Sequence, residues 1–215
     1  MSGQTDRAKR AQGIRQDAVN LPNLLTLLRI VMIPIVLWLM YQSTREGNIW
    51  AAIVFGLAAA TDVVDGWVAR RQGLTSVLGK FLDPLADKLV IVATLVLMVE
   101  LGRVPAWAVI IVLWRELSVT VLRTMAMNER LVIAASRGGK DKAALQNVAV
   151  AMLILHDTYQ LDFWFFAVTT NLHMVGLVLF YASIIFALTS GGDYVRLFVQ
   201  AVEAKEKRDA KLAAK

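Results

Sequence analysis

Apolar runs long enough to cross a bilayer recur six times along these 215 residues, and nothing in the chain constrains its fold more. Crossing about 30 Å of hydrocarbon as a helix takes about 20 predominantly apolar residues. The runs lie at Leu21–Tyr41, Ile49–Arg70, Gly79–Leu101, Pro105–Met127, Ala143–Asp157 and Phe163–Thr189, the fifth being short. They predict an all-α integral membrane protein with six transmembrane helices. A composition of 57% hydrophobic and only 19% charged residues belongs to the same class. Tight connections favour antiparallel neighbours, and no internal repeat or low-complexity linker divides the chain.

Orientation follows from the basic residues. Eighteen of the 23 fall on one side of the predicted spans, and only Arg45 and Arg103 on the other; Arg29, Lys88 and Arg115 lie inside them. That asymmetry is the positive-inside pattern, with both termini cytoplasmic. The net charge of +6 then reflects loop bias and anionic lipid, not nucleic acid. Residues 1–20 read as a cytoplasmic juxtamembrane segment without the apolar core of a signal peptide, so the first span serves as the insertion signal. Residues 21–189 form the transmembrane domain, and residues 190–215 a basic tail. In that tail Tyr194, Leu197, Phe198, Ala201 and Val202 recur at helical spacing, which suits either a membrane-surface helix or a solvated extension. The chain has no cysteine, so disulfides and thiolate metal sites are excluded. His156 and His173 read as packing residues near helix ends.

Four aspartates, Asp62, Asp65, Asp83 and Asp87, interrupt the second and third spans. A carboxylate at the bilayer centre costs about 2.5–3.5 kcal/mol even on lenient scales, so four together need a compensating partner. Asp62 and Asp65 are three apart, Asp83 and Asp87 four apart, so each pair shares a helix face. Antiparallel pairing through the turn at Gln72 and Gly73 sets Asp62 level with Asp87 and Asp65 level with Asp83, in the cytoplasmic half of both helices. Small residues, Ala69 and Gly79, face one another at the mouth. Hard divalent cations are the natural partner for such an oxygen-rich set. Two ions about 3.5–4 Å apart would clamp a diphosphate and neutralise a phosphoryl group in transfer. Gly66 lets a ligand approach the backbone, and Arg70, one turn on, suits a phosphate.

These residues spell a known pattern. Asp62-Val-Val-Asp65-Gly66-Trp-Val-Ala69-Arg70, eight residues, then Gly79-Lys-Phe-Leu-Asp83-Pro-Leu-Ala-Asp87 resembles the CDP-alcohol phosphotransferase signature at all eight of its fixed positions. Asn23, Thr26 and Arg29 resemble the family's first-helix motif. Arg115-Glu116, Arg123 and Lys140-Asp-Lys142 with Gln146 resemble its phosphatidylglycerophosphate synthase branch, from which Ala143 departs, a threonine being usual there.

The resemblance implies a six-helix, commonly dimeric enzyme of a bacterial inner membrane with its site facing the cytoplasm. CDP-diacylglycerol would donate its phosphatidyl group to an alcohol and release CMP. By the same resemblance Asp62, Asp65, Asp83 and Asp87 hold Mg²⁺ or Mn²⁺, two ions in all, and Asp87 is the general base. Thr26, Arg29, Asp62, Asp65, Gly66, Ala69, Arg70, Gly79 and Asp83 bind CDP-diacylglycerol.

The basic third cytoplasmic connection bears on the acceptor. Arg115, Arg123, Lys140 and Lys142 suit the phosphate of glycerol 3-phosphate, giving phosphatidylglycerol phosphate, better than a neutral alcohol. The same chemistry with inositol phosphate, serine or phosphatidylglycerol stays open. So, from other classes, do a divalent-cation transporter, whose sites tend to lie nearer the midplane on broken helices, and a non-catalytic lipid-binding scaffold.

Overall fold

The computed structural model describes residues 21–72, 77–129, 131, 138–163 and 166–213. Among them are six helices: α1 (Leu21–Tyr41), α2 (Arg45–Gln72), α3 (Val77–Glu100), α4 (Ala106–Asn128), α5 (Gly138–Leu155) and α6 (Leu172–Ala213). The predicted juxtamembrane segment 1–20 lies outside the described residues.

Local chemistry sets the breaks between helices. After α1 the chain turns at Ser43, which adopts the left-handed conformation at φ 51°. Thr44 then caps α2, its Oγ1 accepting the Gly47 N–H at 3.0 Å. At the end of α3, Gly102 takes φ 69°, and the Arg103 N–H returns to the Met98 carbonyl at 2.8 Å. A left-handed glycine is the usual stop for a helix, and Pro105 then precedes α4 in extended conformation.

The helices bury one apolar seam. Val36 and Met40 of α1 meet Phe55 of α2, Leu95 and Met98 of α3, Val112 of α4, Leu153 of α5 and Phe180 of α6. α1 packs on both α2 and α3, while α6 packs on α4 and α5. The helices approach closely at Gly176 on α6, where a Cβ would stand 2.9 Å from Leu153 Cγ and 3.0 Å from the Leu153 backbone nitrogen.

The outer surface is apolar too. Trp38, Trp114, Val178 and Ile185 are each about two-thirds exposed, far more apolar surface than a water-soluble monomer presents. Among the described residues, Leu24–Tyr41 and Leu172–Leu212 are long and apolar enough to cross a membrane, at mean hydropathies of 2.2 and 2.1. Between them α2, α3 and α4 have 28, 24 and 23 residues, with α2 and α3 carrying the charges already described, while the apolar part of α5, Ala144–Leu155, is shorter.

The all-α expectation fails at one place. A sixth span beginning at Phe163 is not what forms; β1 (Thr158–Phe163) pairs antiparallel with β2 (Phe166–Asn171), and α6 begins only at Leu172. The stretch is apolar enough to mimic a span, yet Tyr, Phe, Val and Thr dominate it, residues that favour an extended pleat over a helix. Arg45 at the start of α2 sits 4.7 Å above the Tyr159 ring and ties the hairpin to the bundle. At the other end, α6 runs through residue 190 into the tail without a break. Its 42 residues span about 63 Å, about twice the hydrocarbon thickness. Lys205 Nζ reaches Glu129 Oε2 at 2.6 Å, holding this extension beside the end of α4.

Candidate active site

The signature residues all fall on helix. Asp62, Asp65, Gly66, Ala69 and Arg70 lie on α2, and Gly79, Asp83 and Asp87 on α3. The side chains of these eight, with those of Lys140 and Lys142 at the start of α5, lie outside the described residues, as does Gly73 in the connection. The helical backbone keeps Asp62 with Asp65, and Asp83 with Asp87, on shared faces.

Three polar side chains from the sequence motifs are buried in the bundle. Thr26 and Arg29 on α1 are 0% and 1% exposed, and Gln146 on α5 is 4% exposed. Burying an arginine this deeply within a bundle is costly unless it serves a site. A small pocket opens beside Arg29, lined by Phe55, Ala58 and Ala59 of α2, Val90 and Ile91 of α3, and Asn147 of α5. Ala58 precedes Asp62 by one helical turn, and Ile91 follows Asp87 by one turn. The pocket therefore adjoins the turns that carry the outermost aspartates of both helices.

Lys88, the residue after Asp87, donates from Nζ to Thr120 Oγ1 on α4. Thr120 in turn donates to the Glu116 carbonyl at 2.7 Å. The turn carrying Asp87 is thus tied to α4 through a hydroxyl.

Arg115 is drawn towards α6. Its Nε donates to the Ala187 carbonyl at 3.0 Å, Nη2 to Ser190 Oγ at 3.0 Å and Nη1 to Glu116 Oε1 at 2.7 Å. Gly191 packs beside its stem, where a Cβ would make ordinary contact at 3.6 Å from Arg115 Cγ. A guanidinium has five N–H donors, so these contacts fix its plane without consuming all of them. Arg123, two turns on along α4, is exposed. Just past the end of α4, the Lys205 ammonium holds the Glu129 carboxyl below its ordinary range by hydrogen bond and charge.

Two features escape a reading by sequence. Asn147 passes for a stray polar residue in an apolar run, although it stands seven residues after Lys140 and so on the same helix face. His156 and His173, expected as packing residues, meet with their Nδ1 atoms 3.0 Å apart beside the hairpin; no sequence spacing announces the pairing.

The family model described as CDP-alcohol phosphatidyltransferase matches residues 19–197. The chain is 41% identical over 150 residues to the CDP-diacylglycerol–glycerol-3-phosphate 3-phosphatidyltransferase of Bacillus subtilis (strain 168), covering 64% of this chain and 78% of that one. It is 38% identical over 186 residues to a probable phosphatidylglycerophosphate synthase of Mycobacterium tuberculosis (strain ATCC 25618 / H37Rv), covering 84% of this chain and 82% of the relative. The Rickettsia typhi (strain ATCC VR-144 / Wilmington) protein named as the same phosphatidyltransferase is 35% identical over 136 residues, covering 63% and 76%.

Proposed function

Because the chain belongs to the CDP-alcohol phosphatidyltransferase family, we propose that it transfers the phosphatidyl group of CDP-diacylglycerol to glycerol 3-phosphate, releasing CMP and forming phosphatidylglycerol phosphate. It is an enzyme of that class, which removes the transporter reading. The observation that carries the proposal is the coincidence of all eight signature positions with two helices beside a pocket lined by the buried Arg29. The names of the relatives favour glycerol 3-phosphate among the acceptors.

The membrane arrangement belongs to the same proposal. Six spans with both termini inside leave the aspartates in the cytoplasmic half of α2 and α3, where a nucleotide can reach them. A homodimer in a bacterial inner membrane, in contact with lipid along its apolar surface, completes it.

In the reaction, the acceptor hydroxyl oxygen bonds to the β-phosphorus as the bond from that phosphorus to the CMP oxygen breaks. The hydroxyl proton passes to the Asp87 carboxylate, which must stand within hydrogen-bond reach of it. Asp62, Asp65, Asp83 and Asp87 form an all-oxygen donor set without histidine or cysteine, and that set fits Mg²⁺ or Mn²⁺. When bound, two such ions supply neutralisation of the diphosphate and of the charge left on CMP. The remaining work is positioning. Gly66, Ala69 and Gly79 keep the helix surfaces low enough for the cytidine diphosphate to approach. Arg70 meets its phosphates, and Thr26 and Arg29 hold its membrane end from α1. Arg123, Lys140 and Lys142 gather the acceptor phosphate, and Arg115 adds its uncommitted N–H groups from a frame fixed by α6.

The test is CMP release by purified protein given CDP-diacylglycerol, Mg²⁺ and a panel of acceptors: glycerol 3-phosphate, inositol phosphate, serine and phosphatidylglycerol. Turnover with glycerol 3-phosphate alone is expected, and Asp87→Asn should abolish it. Release with another acceptor in preference would reassign the product, and retained turnover in Asp87→Asn would remove the general base.

A further inference from the structure

We propose that Asn147 determines acceptor specificity by accepting a hydrogen bond from the central hydroxyl of glycerol 3-phosphate, an inference that rests on the function proposed above. The Asn147 Oδ1 atom is buried and has no hydrogen-bond partner among the described residues. Asn147 lines a pocket whose remaining described lining, Arg29 apart, is the carbon surface of residues such as Phe55, Ala58 and Val90. An amide oxygen shut away from water without a donor is unfavourable, so a bound group that brings a donor gains by pairing with it.

The chemistry of the substrates narrows that donor. At neutral pH the diphosphate of CDP-diacylglycerol carries oxygens that only accept, and the acyl esters below it likewise only accept. The other donors of the substrates, the ribose hydroxyls and the cytosine amine, belong with the nucleotide at the mouth marked by Gly66, Ala69 and Gly79, which leaves the acceptor alcohol to bring hydroxyl hydrogens to the level where α2, α3 and α5 meet. Lys140 and Asn147 are seven residues apart on α5, hence on one face and about 10 Å apart along the axis. An acceptor whose phosphate is held at the Lys140 end directs its hydroxyl end down this face towards Asn147. Ile91, across the pocket, is one turn from Asp87. Glycerol 3-phosphate has two hydroxyls: the primary one attacks phosphorus and gives its proton to Asp87, and the secondary one remains to donate to Asn147 Oδ1. Held this way, the central hydroxyl fixes the rotation of the three-carbon chain and so aims the attacking oxygen.

The experiment compares glycerol 3-phosphate with 3-hydroxypropyl phosphate, which keeps the phosphate and the primary hydroxyl but lacks the central one. CMP release is followed with both acceptors for the wild type, Asn147→Leu, Asn147→Ala and Asn147→Asp. The wild type should favour glycerol 3-phosphate by about tenfold or more in kcat/KM, because the shortened acceptor leaves the amide oxygen unpaired. Asn147→Leu and Asn147→Ala should bring the ratio close to one, with the KM for CDP-diacylglycerol unchanged. Asn147→Asp, which keeps an accepting oxygen, should retain the preference. Equal use of the two acceptors by the wild type, or an undiminished preference in whichever apolar variant folds, would overturn the assignment while leaving the parent reaction intact. No CMP release from the wild type with either acceptor would overturn the parent reading and this one with it.

Discussion

Arg115 and Ser190 are joined across the α4–α6 seam by a 3.0 Å hydrogen bond from Nη2 to Oγ. That bond, with the one from Nε to the Ala187 carbonyl, turns a mobile cation into a fixed one. If its remaining N–H groups serve the acceptor phosphate, Arg115→Ala should raise the acceptor KM about tenfold or more while changing the KM for CDP-diacylglycerol little. Lys142→Ala should do the same. Steady-state kinetics with each substrate varied in turn checks this; equal effects on both would reduce Arg115 to a clamp between helices.

Arg103 holds three elements together on the side away from the aspartates. Nη2 donates to Asn48 Oδ1 of α2 at 2.9 Å and Nη1 to the Ile154 carbonyl of α5 at 2.8 Å, with both side chains buried. Arg103→Leu leaves two acceptors without a donor, at about 1–3 kcal/mol each. A lower unfolding temperature in detergent is expected, with both KM values of the folded enzyme near those of the wild type.

At Gly176 the helix α6 lies close against Leu153 of α5. With a Cβ only 2.9 Å from Leu153 Cγ, Gly176→Ala forces the helices apart and should cost about 1–3 kcal/mol. Thermal unfolding is the measurement, and an unchanged midpoint would mean that the seam yields freely.

Much of this molecule was legible in its sequence, for identifiable reasons. The first four helices follow from apolar runs because a spanning helix is written locally, residue by residue. The proposed site positions rest on two helical spacings, Asp62 to Asp65 and Asp83 to Asp87, which carry a chemistry that apolar spans do not tolerate without purpose. The β-hairpin did not show itself, since hydropathy alone cannot separate an apolar strand pair from the start of a span; only the Thr, Val and aromatic content of Thr158–Asn171 hinted at it. The unbroken course of α6 past Gly191 and Gly192 was hidden behind the change in composition at residue 190. Roles set by tertiary partners were out of reach: Arg103 read as one of two outward charges, Arg115 as a phosphate ligand without its α6 frame, and Asn147 as nothing at all.

The central claim is that α2 and α3 pool four carboxylates into one cation-binding site, and manganese binding tests it most directly. Chelator-stripped protein titrated with Mn²⁺ in the presence of CDP-diacylglycerol should take up about two ions per chain, close enough for their electron spins to couple. Asp62→Asn and Asp87→Asn should each reduce that number. No bound manganese at saturating concentration, or uptake undiminished in both variants, would contradict the account.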